Sequence, residues 1–246
     1  MLSISNLSVD VQGQAIIKNC SVAFGAGQVH VVMGPNGSGK SSLAATIMGH
    51  PSYQVTHGSI ELHGQDLVAL PAHQRSARGI FLGMQHPVEI QGLQIIHYLK
   101  ELCALQGNAA VTVAQMMERV EPLLTLVGLP QSILQRCVNV GFSGGEKKRF
   151  ELLQMLLLQP KIAILDELDS GVDIDGLKHL SNGLNWYREQ NLQATIVLIT
   201  HYRHILTHVQ PDVVHVMVDG NLVVTGDSSI LDSIELNGYE QYAKRS

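Results

Sequence analysis

A glycine-rich octapeptide near the N-terminus constrains the fold of this chain more than any other feature. Its residues match the pattern G-x-x-x-x-G-K-[ST] at every fixed position: Gly34-Pro35-Asn36-Gly37-Ser38-Gly39-Lys40-Ser41. The apolar run at residues 29–33 predicts a buried strand before the loop, and residues 41–48 predict a helix after it. Glycine amides that turn inward and a helix N-terminus together cradle phosphate. The chain is therefore predicted to be an α/β protein of the P-loop NTPase class that binds a nucleoside triphosphate.

Three polar residues at the end of this loop carry most of the predicted phosphate chemistry. Lys40 is expected to supply a full positive charge to the β- and γ-phosphates. Ser41 is expected to supply an oxygen ligand for Mg²⁺, and Ser42 is added to the cofactor-binding set with the octapeptide. A nucleoside triphosphate with Mg²⁺ is thus the predicted ligand, and these residues do not distinguish ATP from GTP.

Composition narrows the classes of function that remain. Hydrophobic residues make up 45% and charged residues 15% of the 246 residues, which is typical of a compact globular protein. The net charge of −5 argues against nucleic acid as a partner. No apolar run approaches the length of a membrane span, and no signal peptide is visible. The three scattered cysteines suit a reducing cytosol, so a cytoplasmic location is expected.

The order of elements predicts one α/β core interrupted by a helical block. The core is expected over residues 1–90 and 159–246, and the helical subdomain over about 91–158, where leucines recur at helical spacing. Pro122 is expected to kink or restart a helix there. Asp227 is the expected N-cap of the last helix. Segments with the pattern of β-strands are 2–11, 15–24, 59–62, 79–83, 162–165, 195–200 and the hairpin 213–218/222–225.

A second site follows the buried apolar segment that begins at Ile162. Asp166 and Glu167 stand at its carboxyl end, where open α/β sheets place their ligands. We expect Asp166 to hold Mg²⁺, directly or through water, and Glu167 to polarise the attacking water.

A third site, Ser143-Gly144-Gly145-Glu146, has the spacing of a capping box at the start of a helix. Capping does not require two glycines between the caps. Gly144 and Gly145 leave backbone amides open to a phosphate, so this turn is a second predicted cofactor-binding element.

Two single residues complete the pattern. His201 follows the strand predicted at 195–200, from where it could reach a γ-phosphate. Gln85 follows the strand predicted at 79–83, where the core gives way to the helical block. Considered alone, each would be interpreted as an ordinary histidine or loop glutamine. The other predicted sites make a role at the phosphates the better interpretation.

Taken together, these residues resemble the ATP-binding-cassette family. The correspondence covers Walker A (residues 34–41), the Q-loop (Gln85), the signature (143–146), Walker B (Asp166 and Glu167), the D-loop (170–173) and the switch histidine (His201). The resemblance implies an ATPase with an N-terminal antiparallel β subdomain and an inserted helical subdomain. It also implies Gln85 as a metal ligand, and Glu167, His201, Gln85 and Lys40 as the catalytic set.

Further residues resemble the SufC-type branch of that family, the ATPases of the Suf machinery for iron–sulfur cluster assembly. They are Lys147-Lys148-Arg149, the segments 85–90, 168–175 and 199–202, and Asn237-Gly238-Tyr239. The implied partners are scaffold proteins of the SufB and SufD type and, with ATP bound, a second copy of the chain in head-to-tail contact. Val172, Gln91 and Phe150 depart from the branch pattern, at positions that could alter partner docking.

Three alternatives stay open at this point. The same fold serves as the ATP-binding subunit of membrane transporters, which would copurify with a permease. Cassettes of nucleic-acid repair or translation usually carry two cassettes or a long insert. A non-catalytic binding module would need neither Glu167 nor His201.

Overall fold

A computed structural model describes residues 1–105, 111–201 and 204–243 of the chain. Tyr202, part of the segment that resembles the SufC-type branch, lies outside these residues. The strands are β1 Leu2–Val11, β2 Gln14–Phe24, β3 Val29–Met33, β4 Gln54–Leu62, β5 Gln65–Asp66, β6 Ile80–Gly83, β7 Ile90–Gln94, β8 Cys137–Val138, β9 Ile162–Asp166, β10 Thr195–Ile199, β11 Val213–Val218 and β12 Asn221–Gly226. The helices are α1 Lys40–Met48, α2 Ala72–Ala77, α3 Ile95–Leu105, α4 Val113–Val127, α5 Gly144–Leu158, α6 Ile174–Gln190, α7 Ser229–Asn237 and α8 Glu240–Ala243.

The central sheet has six strands in the order β12-β11-β3-β10-β9-β6. All neighbours run parallel except the β11–β12 hairpin at the edge. Strands β3, β9 and β10 are buried along their whole length, as expected for parallel strands covered on both faces. Because the carboxyl ends of parallel strands meet at one edge, the loops that follow β3, β6, β9 and β10 converge there.

A second, antiparallel sheet has the order β2-β1-β4-β5 and packs its apolar face on helix α1 and the central sheet. Three helices of the middle of the chain, α3, α4 and α5, share a separate core with α6 and the other face of the central sheet. This arrangement is the mixed α/β architecture that the sequence predicts. The division of the chain at residues 90 and 158 stays a proposal.

Three local predictions are wrong. The strand expected at 59–62 begins at Gln54, because the polar stretch pairs its backbone with Ser8–Asp10 of β1, which needs no apolar side chain. No new helix starts at Pro122: α4 continues through it from Val113 to Val127, with Pro122 on its exposed face and the opposite face packed in the core. The N-cap of α7 is Ser228; Asp227 instead accepts hydrogen bonds from the backbone and hydroxyl of Ser229.

Five elements have no counterpart in the sequence prediction. Strand β5 lies where a turn is expected, and strands β7 and β8 pair the start of the helical block with the segment before α5. Helices α2 and α6 lie in segments for which no element is predicted. No helix within the described part of the chain has the length and apolar character needed to cross a membrane.

Candidate active site

A cavity of about 680 Å³ lies where the loops after β3, β6, β9 and β10 converge. Residues from every one of these loops reach it, although they come from distant parts of the sequence. Its walls are Ile16, Asn36, Gly37, Gly39, Lys40, Ser41, Ser42, Gln85, Glu167, Ser170 and His201. The structure thus brings together the predicted phosphate loop, glutamine, glutamate and histidine. Residues 143–146 are not among its walls.

The phosphate loop is fixed by its own backbone and by Lys40. Gly34 has a φ of 155°, and a Cβ there would lie 2.1 Å from the carbonyl oxygen of Met217. Lys40 Nζ donates to the carbonyl oxygens of Gly34 and Pro35, both at 2.9 Å, and contacts Ser38 Oγ at 3.4 Å. Burial lowers the pKa of Lys40 from its usual value, while Glu167 and Asp166 oppose that shift. The hydrogen bonds to the two carbonyl oxygens hold the Lys40 ammonium group at the wall of the cavity.

Asp166 ends strand β9 and is 6% exposed. Burial raises the pKa of this carboxyl group, and a hydrogen bond with the Ser41 side chain counteracts the shift. Its Oδ1 atom is buried and has no hydrogen-bond partner within the described ranges. A buried carboxylate oxygen without a donor, next to a serine hydroxyl, suits a hard cation such as Mg²⁺.

Glu167 has a left-handed backbone, with φ 50°, which is unusual for a residue with a side chain. Its amide donates to the Ile199 carbonyl at 2.8 Å, which ties the turn after β9 to the end of β10. A backbone conformation of this kind costs on the order of 1–3 kcal/mol of folding free energy, and it persists where surrounding contacts hold the residue in place. The turn directs the carboxylate into the cavity.

Two side chains from other segments meet this carboxylate. Gln85 Nε2 donates to Glu167 Oε2 at 2.8 Å, and His201 Nε2 lies 3.4 Å from Oε1. Burial is the main cause that lowers the pKa of His201, with Lys40 contributing and Glu167 opposing. Burial thus favours the neutral form of the imidazole, whose Nε2 atom lies next to the carboxylate. A carboxylate held between an amide and an imidazole can orient a water molecule beside it.

The turn at Ser143 forms the capping box that its spacing predicts. Ser143 Oγ accepts from the Glu146 amide at 3.2 Å, and Glu146 Oε2 accepts from the Ser143 amide at 2.8 Å. The hydrogen bond from that amide lowers the pKa of Glu146. A Cβ on Gly145 would meet no atom of the described part of the chain within 4 Å, and the backbone of Gly145 is not left-handed. The packing of the described residues therefore gives no reason for glycine at this position.

Sequence reasoning assigned no role to three residues around the site, Asp169, Lys148 and Glu151. Asp169 is buried and accepts from the Thr200 hydroxyl at 2.9 and 3.0 Å, which secures the backbone next to His201. Lys148 and Glu151 form a buried pair on α5. Opposite charges three residues apart in a helix are a weak signal of such a pair, and Glu146, Lys147 and Arg149 of the same helix are charged as well. Phe150, one of the departures, is fully buried and belongs to the core.

Comparison with known proteins gives consistent matches along the chain. The family model described as "ABC transporter" matches residues 17–170. The chain is 42% identical to a "Probable ATP-dependent transporter SufC" of Escherichia coli over 97% of each chain. It is 41% identical to "Vegetative protein 296" of Bacillus subtilis, covering 97% of this chain and 92% of that protein. It is 42% identical to a "Probable ABC transporter ATP-binding protein" of Streptococcus pyogenes, covering 99% and 95%.

Solved structures share the fold at low sequence identity. The "ATP binding subunit of ABC transporter" superimposes with a TM-score of 0.81 at 23% identity, covering 97% of this chain and 95% of that one. A dimeric ATP-binding cassette in a post-hydrolysis state, bound to ADP and Pi, gives a TM-score of 0.81 at 18% identity, covering 92% and 98%. At these identities the likeness concerns the fold alone.

Proposed function

Because this chain belongs to the ATP-binding-cassette family and is an ATPase, we propose that it hydrolyses Mg·ATP in the cavity between the phosphate loop and Glu167. The observation that carries the proposal is the meeting of Lys40, Gln85 and His201 with Glu167 around one cavity. A binding protein without catalysis would have no use for a carboxylate held in a strained turn beside the phosphate loop.

We assign one role to each group around the phosphates. Backbone amides of residues 34–41 bind the phosphate oxygens, and Lys40 exchanges its carbonyl contacts for the β- and γ-phosphates. Glu167 accepts a proton from water as the water oxygen attacks the γ-phosphorus and the bond to the bridging oxygen of ADP breaks. His201 donates a hydrogen bond to the γ-phosphate as its charge changes in the transition state.

The buried Oδ1 atom of Asp166 and the Ser41 hydroxyl would hold Mg²⁺, with the amide oxygen of Gln85 as a further ligand. When bound, the cation neutralises charge on the β- and γ-phosphates. No group of three or more His, Cys, Asp or Glu side chains in the described ranges could hold a metal ion. Mg²⁺ is commonly bound by one or two protein oxygens together with substrate phosphates, so a single carboxylate is sufficient.

A second copy of the chain completes the site. Ser143, Gly144 and Gly145 expose the N-terminus of a 15-residue helix but do not line their own chain's cavity. In a head-to-tail pair, each copy would place this turn over the γ-phosphate bound by the other, and a two-fold axis would create two equal sites. Loss of the γ-phosphate on hydrolysis would then let the pair reopen.

We propose that closing and reopening of the pair moves a scaffold of the SufB and SufD type during iron–sulfur cluster assembly in the cytoplasm. The likeness to the E. coli SufC protein supports this. A groove of about 270 Å³ beside Gln85 offers the docking point, with Met84 43%, Val88 62% and Ile90 37% exposed on its rim. Its position between the catalytic glutamine and α3 would couple a docked segment to closure of the pair.

Mixing two inactive variants tests the proposal. Lys40→Ala removes the phosphate-loop charge, and Ser143→Arg blocks the turn that closes the site. Each variant alone should show almost no phosphate release. An equal mixture should recover part of the wild-type rate, because a mixed pair has one site built from the two intact halves. A mixture as inactive as its components would reject the head-to-tail site, and Lys40→Ala with wild-type activity would reject the catalytic assignment.

A pull-down from the native cell separates the scaffold role from the transporter alternative. The tagged chain should recover a complex that stays in the supernatant after high-speed centrifugation and contains no integral membrane protein. Recovery of a permease in the membrane fraction would favour the transporter subunit instead.

A further inference from the structure

Helix α5 carries a buried ion pair that the proposed reaction does not use. Lys148 and Glu151 are each 5% exposed, and Lys148 Nζ lies 3.6 Å from Glu151 Oε2. Burying two charges costs several kcal/mol per ion unless further hydrogen bonds satisfy them. The reason for the pair should therefore lie in what else these two side chains bind.

Both side chains bind the backbone immediately before and at the catalytic glutamine. Glu151 Oε1 accepts from the Met84 amide at 2.7 Å. Lys148 Nζ donates to the carbonyl oxygens of Met84 at 2.9 Å and of Gln85 at 3.1 Å. The loop after β6 is therefore held by one acceptor and one donor that lie on successive turns of the same helix.

Lys148 also contacts the end of strand β9. Its Nζ atom lies 3.4 Å from the carbonyl oxygen of Asp166, the residue before Glu167. One ammonium group thus binds carbonyl groups in the loop after β6 and at the end of β9. In the loops that follow these two strands, the side chains of Gln85 and Glu167 meet at 2.8 Å. The same helix begins at the Ser143 turn, five residues before Lys148.

We propose that the Lys148–Glu151 pair is a positioning device that fixes the backbone at Met84 and Gln85 relative to helix α5, and so sets where the Gln85 amide meets Glu167. Neither residue is among the walls of the cavity, so the pair acts through Gln85. Movement of α5 when its N-terminal turn engages a second copy would be transmitted by these bonds to the glutamine. The inference rests on the proposed hydrolysis and adds a rigid link between the two halves of each site.

Steady-state hydrolysis in a double-mutant cycle tests the link. Glu151→Ala removes the acceptor of the Met84 amide, and kcat should fall roughly tenfold or more, with a KM for ATP that changes far less, because small misplacement of a catalytic group is costly. Gln85→Ala should also lower kcat. If Glu151 acts through Gln85, the double variant should be no slower than Gln85→Ala alone. Effects that multiply in the double variant would overturn the proposal.

Leu152→Val is the matched control. Its side chain is fully buried on the same helix and lies against Gly183 of α6, on the side away from the loop after β6. Its kcat should stay near the wild-type value. An equal loss of kcat in this variant would mean that any weakening of α5 slows the reaction, and the specific link would be wrong.

Hydrogen exchange of the full-length chain gives a second readout that does not depend on activity. In Glu151→Ala, amide protection should fall at Met84 and Gln85 and remain unchanged in the central sheet. Glu151→Gln, which keeps an oxygen acceptor, should restore most of that protection and most of kcat. If the alanine variant does not fold, Lys148→Met takes its place, since it removes the donor to the Met84 and Gln85 carbonyl groups and should cause the same losses. Unchanged protection at Met84 in Glu151→Ala, or in Lys148→Met where that variant is used, would overturn the link, whereas a fully active Lys40→Ala measured alongside would instead reject the proposed hydrolysis.

Discussion

The chain contains two glycine-rich turns at helix N-termini, and their surroundings differ. The loop before α1 is completed by its own chain: Lys40 binds two of its carbonyl groups, and Gly34 leaves no room for a Cβ. The turn before α5 is capped by Ser143 and Glu146, but a Cβ on Gly145 would meet no atom of the described residues within 4 Å. Internal packing requires glycine at position 34. Glycine at position 145 is explained only if a group from outside the chain binds against it.

Under the proposed pairing, this difference would keep a single chain a slow enzyme until a second copy supplies the turn before α5. Binding groups, the water-orienting carboxylate and the histidine gather within one copy. The amides that would close the site stand elsewhere on the same copy. The comparison predicts that damage to the first region acts within a chain, while damage to the second acts on a neighbour.

The largest effect is expected from Glu167→Gln. Removing the proton acceptor should lower turnover by roughly 10³-fold, within the usual range for general bases. Binding of ATP remains, so the variant should accumulate as a dimer in size-exclusion chromatography with ATP and as a monomer without it. Glu189→Gln, an exposed change on α6, is the control. A Glu167→Gln variant that turns over like the wild type would remove this residue from its role.

Matched glycine substitutions contrast the two turns directly. Gly34→Ala should lower the free energy of unfolding by about 3 kcal/mol or more, because its Cβ overlaps the Met217 carbonyl. Gly145→Ala should leave the free energy of unfolding unchanged or raise it by about 0.5–1 kcal/mol, since alanine favours a helix. Hydrolysis should nevertheless fall about tenfold, the equivalent of one lost contact. Urea denaturation and phosphate release measure the two effects.

If Gly145→Ala kept full activity, the turn before α5 would not approach a phosphate as closely as proposed. If it lost stability as Gly34→Ala does, the two turns would not differ in the way described here.

Acid should weaken the sheet that carries the phosphate loop. The Gly25 amide donates to His30 Nε2, and His30 Nδ1 lies 3.0 Å from His215 Nε2, so both buried rings fit this chain of bonds as neutral bases. Burial lowers the pKa of each from 6.5 to about 4. Protons then bind the unfolded chain more than the folded one, so stability is complete above pH 6.5 and is lost as the pH falls towards 4.

Denaturation at a series of pH values checks this expectation. The two histidines together should lower the free energy of unfolding by about a few kcal/mol at acid pH. His215→Leu should flatten the dependence although it lowers stability at pH 7, and His57→Gln, an exposed change, should not. A wild-type unfolding free energy that stays constant between pH 7 and 5 would contradict the assignment.

The smallest effect separates capping from catalysis. Helices α4 and α5 both begin with a capping box, formed by Thr112 with Gln115 and by Ser143 with Glu146. Alanine in place of Thr112 or Ser143 should lower the free energy of unfolding by about 1 kcal/mol in either case. Only Ser143→Ala should also lower ATP-dependent dimer formation, measured by light scattering. An equal loss in Thr112→Ala would reduce the role of Ser143 to capping alone.

Several elements could be predicted from the sequence because their signals are local. Strand β3 is an apolar run of buried residues, the β11–β12 hairpin turns at Asp219-Gly220, and the α5 capping box lies within four residues. The start of β4 could not be predicted, because a polar strand is stabilised by backbone pairing with β1, which is distant in sequence. Pro122 likewise gives a local helix-breaking signal that the packing of α4 outweighs.

The sequence by itself determined the chemistry of this protein, since the residue types and spacing of the phosphate loop, Asp166 and Glu167 suffice to indicate triphosphate binding. Only the tertiary structure decided which groups act on one another. Gln85 meets Glu167 at 2.8 Å, and the Lys148–Glu151 pair holds the loop that brings it there. Such contacts depend on parallel strands ending at one edge, a consequence of long-range strand order that no local pattern of residues contains.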